Sequence, residues 1–99
     1  MRKSRLAAIQ EMLKPDNLQV PGCPKIDDVV VWDFHDQTGE LSLRINVLLS
    51  DDTADEARRW RDLEPIDDRI FDILRENEVD EFPYARYITR AEFESEKAA

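Results

Sequence analysis

The chain has 99 residues and 11.6 kDa, enough for one domain with a single two-layer core. Its 23 acidic and 14 basic residues give a formal net charge of −9, which opposes binding to phosphate backbones and to anionic membranes. The hydrophobic share of 41% and eight aromatic residues predict a folded domain rather than a disordered chain.

The charge is uneven. Residues 1–25 carry five basic and two acidic side chains, and residues 26–99 carry nine basic and 21 acidic ones. Such a body favours solubility and attracts basic partners or cations. The N-terminal charges are followed by no apolar run of signal-peptide length, and apolar runs are four residues or shorter. With a single cysteine, Cys23, no internal disulfide forms. These features predict a reducing cytoplasm, most simply a bacterial one.

In chain order, Leu6, Ile9 and Leu13 repeat at helical spacing with Met12 beside them, predicting a helix over 4–14 that Pro15 ends. Pro21-Gly22-Cys23-Pro24 then forces a turning path. Val29 to Phe34 is β-branched and aromatic, and His35-Asp36-Gln37-Thr38-Gly39 reads as a turn. Leu41, Leu43, Ile45, Val47 and Leu49 alternate with Glu40, Ser42, Arg44, Asn46 and Leu48, the period-2 signature of a half-buried strand. The hairpin is expected to put Val30, Trp32 and Phe34 on that apolar face. Val31, Asp33 and His35 then join Ser42, Arg44 and Asn46 on a wetter one.

Thr53 and Glu56 form a capping-box pair, predicting a helix over 53–62. Pro65 favours a break, with a second helix over 65–77 that buries Ile66, Ile70, Ile73 and Leu74 and leaves Phe71 at the edge. Tyr84 to Thr89 reads as a third strand. Thr89 and Glu92 form another capping-box pair, opening a terminal helix with Phe93 inside and residues 94–99 frayed. The expected fold class is α+β: a three-stranded mixed sheet with helices packed mainly on one face, in the order α-β-β-α-α-β-α.

That order resembles the KH-like class of folds, which includes the BolA family. Val47-Leu48-Leu49-Ser50 is similar to the apolar strand closing in serine of BolA-type proteins, and Thr89-Arg90-Ala91-Glu92-Phe93 to their closing motif. Arg59-Trp60-Arg61 has tryptophan where a BolA-type histidine would stand. The glycine-flanked basic loop of nucleic-acid-binding KH domains is missing, the only glycines being Gly22 and Gly39. The resemblance implies a topology and transfers no site residue.

Four groups could carry function. Asp33 and His35 lie two apart on one strand and could ligate a divalent cation or act as base and orienter; a strand end running into a polar turn has the same composition. Asp51, Asp52, Asp55 and Glu56 could offer oxygens to a hard cation, or could complement a helix N-terminus. Cys23 beside Lys25 could be a thiolate, or an incidental loop cysteine. Arg58, Arg59, Trp60 and Arg61 have the composition of a binding hot spot. The other reading makes Trp60 a buried core anchor between Ala57 and Leu63, with the arginines in helical ion pairs. Phosphate-cradling loops are excluded by the scarcity of glycine, and no serine has nucleophile-elbow surroundings. The leading expectation is a non-enzymatic protein-interaction module with no cofactor, a protein partner, and neither nucleic acid nor membrane. The alternative is a divalent-metal-binding protein or small metal-assisted enzyme using Asp33 and His35.

Overall fold

The computed structural model describes residues 3–98. It is an α+β fold with a three-stranded mixed sheet and four helices. Two helices come first, α1 (Lys3–Met12) and the single turn α2 (Pro15–Leu18), then the strands β1 (Ile26–His35) and β2 (Leu41–Leu49). A 3-10 turn at Asp55–Ala57 precedes α3 (Trp60–Glu76), and β3 (Phe82–Thr89) and α4 (Arg90–Ala98) close the chain. Pro15 thus opens a second short helix as well as ending the first. The order differs from the expected one by that turn and by one helix, α3, where two were predicted, because most of the stretch 53–62 forms a loop and a 3-10 turn and no α-helix.

The sheet order is β1-β2-β3, with β1 antiparallel and β3 parallel to β2. The apolar face of β2 is as expected: Leu43, Ile45, Val47 and Leu49 are fully buried. The assignment of β1 to that face is overturned. Val29 lies opposite Val47, Val31 opposite Ile45 and Asp33 opposite Leu43. Val29 and Val31 therefore enter the core, while Val30, Trp32 and Phe34 lie on the other face with Asn46, Arg44 and Ser42. The turn decides this. Gly39 has φ +86 and donates to the Asp36 carbonyl at 2.9 Å, and Asp36 donates to the Glu40 carbonyl at 2.9 Å. That closes a three-residue loop, and loop length fixes register. A bulge between Ile26 and Asp28 brings Ile26 back to the core face opposite Leu49.

The second face of β2 is not wet either. Ser42, Asn46 and Leu48 are buried. The helix α4 lies over this side, apart from the three helices on the opposite face. Phe93 is buried and stacks on Trp32 with centroids 6.3 Å apart. Arg86 donates to the Asn46 side-chain oxygen at 2.6 Å and grips Glu96 with two bonds of 2.7 and 3.1 Å. The predicted cap is present: the Thr89 N–H donates to the Glu92 carboxylate at 2.8 Å and the Glu92 N–H to the Thr89 hydroxyl at 3.2 Å. The helix then continues to Ala98, through the residues expected to fray except residue 99, which lies outside the described residues.

The opposite face carries α1, α2 and α3. Ile9, Leu13, Leu18, Ile66, Ile70 and Leu74 meet the strand residues in one apolar core. Thr53 caps nothing; its hydroxyl donates to the Ser50 carbonyl at 2.6 Å, and the helix begins only at Trp60. Pro65 sits in the second turn, where the N–H it lacks would have met the Arg61 carbonyl.

The two sheet edges differ. On β1, the Gln10 amide donates to the Val29 carbonyl and accepts from the Val31 N–H at 2.8 Å. Residues 29 and 31 therefore turn their backbone groups away from β2. Alternation carries this across the sheet: even residues of β2 face β1 and odd ones face β3. In the parallel ladder the even residues of β3 face β2, so the backbone groups of Pro83, Ala85 and Tyr87 point outward. Pro83 thus lacks its N–H at a position where the sheet needs none.

The end of α3 holds one backbone strain. Glu78 has φ +57, the Val79 N–H donates to the Leu74 carbonyl at 2.9 Å and the Glu78 N–H to the Arg75 carbonyl at 3.1 Å. This is a Schellman closure with glutamate where glycine is usual. Glu78→Gly is expected to stabilise the fold by about 1 kcal/mol through relief of the left-handed conformation, read as a raised urea midpoint.

Candidate interaction surface

With α4 covering one end of the second sheet face, the hairpin end stays open. Register places Phe34, Ser42 and Phe82 in one row across the three strands, and Trp32, Arg44 and Tyr84 in the next. Ser42 is small and fully buried, so the flanking rings close over it. Phe34 and Tyr84 meet edge to face at 5.5 Å, Phe82 and Tyr84 lie 4.9 Å apart, and Phe71 of α3 meets Phe82 edge to face at 5.9 Å. Phe82 is 53% exposed, Tyr84 42% and Phe71 40%. The Arg44 guanidinium lies 4.8 Å from the Phe34 ring centroid. Below Phe71 and Phe82 a groove of about 300 Å³ is also lined by Leu74, Val79, Glu78 and Asp80.

Asp36 organises the open end. Its carboxylate accepts from the Thr38 hydroxyl at 2.6 Å, the Thr38 N–H at 2.9 Å, the Ser42 hydroxyl at 3.2 Å and the Tyr84 hydroxyl at 3.2 Å. The Thr38 hydroxyl bond leads in holding the Asp36 carboxyl down at about 2 from its ordinary 3.8. Burial first, and then Asp36, push the Tyr84 hydroxyl up, so it stays a donor.

The structure separates the four sequence candidates. Asp33 and His35 are brought to one strand face, opposite Leu43 and Leu41. Among the described residues no three His, Cys, Asp or Glu side chains converge as a metal would need. Asp51 accepts from the Ala91 N–H at 2.8 Å and so ties the β2–α3 connection to α4; Asp52 accepts from the Ser50 hydroxyl, and Asp55 and Glu56 sit in the 3-10 turn. Partial burial first, and then the Asp62 carboxylate, push the Cys23 thiol up, which disfavours a thiolate. The ten-residue β1, about 30 Å long, runs between the turn that holds Cys23 and His35 at its far end, so they form no catalytic pair.

The basic cluster is divided. Arg58 pairs with Glu92 at 2.8 Å, and Arg59 pairs with Asp62 at 3.5 Å while its Nε donates to the Glu56 carbonyl at 3.0 Å. The expectation that Trp60 is a buried anchor is overturned. Because α3 starts at Trp60, Ala57 is not on its helical stripe, and the indole is 55% exposed. Its N–H donates to Glu64 at 3.2 Å and its ring meets Tyr87 at 6.5 Å. Arg61 is exposed beside it. Sequence reasoning missed the Phe71–Phe82–Tyr84–Phe34 row, because Phe34, Phe71 and the Phe82–Tyr84 pair are far apart in the chain and only strand register and the packing of α3 join them.

The chain matches no family model, no curated protein and no solved structure. Among the described residues no helix is long and apolar enough to cross a membrane.

Two measurements check this surface. Asp36 has a depressed folded pKa, so its contribution is complete above the unfolded value near 4 and is lost as pH falls towards about 2. Thermal midpoints should therefore fall across that window in the parent and respond less in Asp36→Asn. Trp60→Ala should cost only about 1 kcal/mol by urea titration, the value of an exposed aromatic pair, not the larger loss of a core truncation.

Proposed function

We propose that the protein is a non-enzymatic interaction module that docks a protein partner on the row Phe71, Phe82, Tyr84 and Phe34. The observation that carries this reading is the chain of ring contacts joining these four side chains, three of them at least 40% exposed. Contiguous exposed apolar surface on a small domain marks interaction sites, and aromatic anchors dominate their energetics. The row stands on two strands and a helix, so the rings are held in place before a partner arrives.

A divalent-metal role for Asp33 and His35 has less support, because two donors fall short of the three protein ligands of a catalytic zinc or the oxygen shell of a hard cation. The charge of −9 disfavours nucleic acid and favours a basic partner. The crossover from β2 through α3 to a parallel β3 supports a KH-like topology, which brings no residue role with it. One free cysteine and no membrane-length helix among the described residues are consistent with a cytoplasmic setting.

The test is capture of a partner from the source cell followed by affinity measurement with variants. Phe82→Ser should keep its far-ultraviolet circular dichroism and lose roughly thirtyfold in affinity, the loss of one aromatic hot spot. Affinity unchanged in Phe82→Ser but lost when Trp60 and Arg61 are replaced by alanine would move the site to the Arg58–Arg61 cluster.

A further inference from the structure

We propose that the free edge of β3 takes an extended, lysine- or arginine-bearing segment of a protein partner as a fourth strand, with carboxylates of α3 meeting its cations and Phe71, Phe82 and Tyr84 its apolar side chains. This rests on the interaction-module reading and names the partner's chemistry and its mode of attachment. The first ground is the asymmetry of the edges. Gln10 caps the outer edge of β1 at Val29 and Val31, whereas β3 is the other edge strand of the sheet and turns the backbone groups of Ala85 and Tyr87 outward. Such an edge is a template for strand addition, in which main-chain bonds give affinity and alternate side chains give selectivity.

The second ground is charge. One stripe of α3 flanks this edge: Trp60 meets Tyr87, Asp67 accepts from the Tyr87 hydroxyl at 2.6 Å, and Phe71 meets Phe82. Glu64 lies on the same stripe, held by the Trp60 N–H, and Asp68 stands close enough to help keep the Tyr87 hydroxyl protonated. Of the three cations in residues 60–81, Arg61 is exposed beside Trp60 and the other two are engaged. Arg75 pairs with Asp72 at 2.7 Å, and Arg69 donates to the Asn17 carbonyl at 3.1 Å. Residues 60–81 hold nine acidic and three basic side chains. An added strand would send alternate side chains towards these carboxylates and the others towards Tyr84 and Phe82 on the opposite face. The attraction is electrostatic and therefore weakens with salt.

The test titrates the full chain with a short labelled peptide alternating lysine and valine, beside a version with glutamate in place of lysine. The lysine peptide should bind saturably and more weakly as salt rises, the glutamate peptide should not bind, and amide exchange should slow at Ala85 and Tyr87. Ala85→Pro removes one outward donor that the sheet does not use and should weaken binding about tenfold. Should that variant fail to fold, the double change Asp67→Asn with Asp68→Asn leaves the backbone intact and should reduce both the affinity and its salt dependence. Binding unchanged in Ala85→Pro but lost in Phe82→Ser would overturn strand addition and leave docking on the aromatic row standing. No binding of the lysine peptide to the folded parent would overturn the basic-strand proposal. Micromolar binding of a single-stranded oligonucleotide in its place would overturn the protein-interaction reading as well.

Discussion

The Asp36 carboxylate gathers the Thr38 hydroxyl and N–H, the Ser42 hydroxyl and the Tyr84 hydroxyl, and so ties the hairpin turn to all three strands. Its consequence is register. A one-residue slip between β1 and β2 would move every side chain of β1 to the opposite face. Val29 and Val31 would leave the core and two aromatic residues would enter it. The turn at Asp36–Glu40 therefore decides which of two apolar sets on β1 is buried and which is displayed.

That choice makes β2 a strand buried on both sides. Its odd face packs on α1, α2 and α3, and its other face is closed at one end by α4 through Phe93, Arg86 and Glu96. Asn46 is buried in this layer without being orphaned, because Arg86 donates to its oxygen and its own amide reaches the Val30 carbonyl at 3.4 Å. Since α4 is only nine residues long, the hairpin end of the face stays open. The aromatic row is what that opening exposes.

Charge and exposure favour the same side of the molecule. Glu64 and Asp67 of α3 flank the edge of β3, and the aromatic row begins on the same stripe at Phe71. A partner with complementary cations would be steered electrostatically and held by apolar contact, a division of labour common at interfaces. Arg58 and Arg59 of the Arg58–Arg61 cluster are less available, since they serve the turn before α3 and its link to α4.

The sequence by itself determined the α+β class, the parity of β2, the apolar stripe of α3 and the Thr89–Glu92 cap. Each of these is local: a period of two or 3.6, or a pair three residues apart, is written in neighbouring residues. Tertiary structure decided the rest. Val29-Val30-Val31-Trp32 is apolar at every position, so its period could not say which parity is buried, and only the loop length did. Thr53 and Glu56 have the spacing of a cap, yet Thr53 is drawn to the Ser50 carbonyl and the chain delays its helix to Trp60, which turns that indole outward. The aromatic row joins residues 34, 71, 82 and 84, which come together only when β3 pairs in parallel with β2 and α3 crosses over. Non-local pairing of that kind leaves no periodic trace, because the residues it brings together are set by register and not by spacing along the chain.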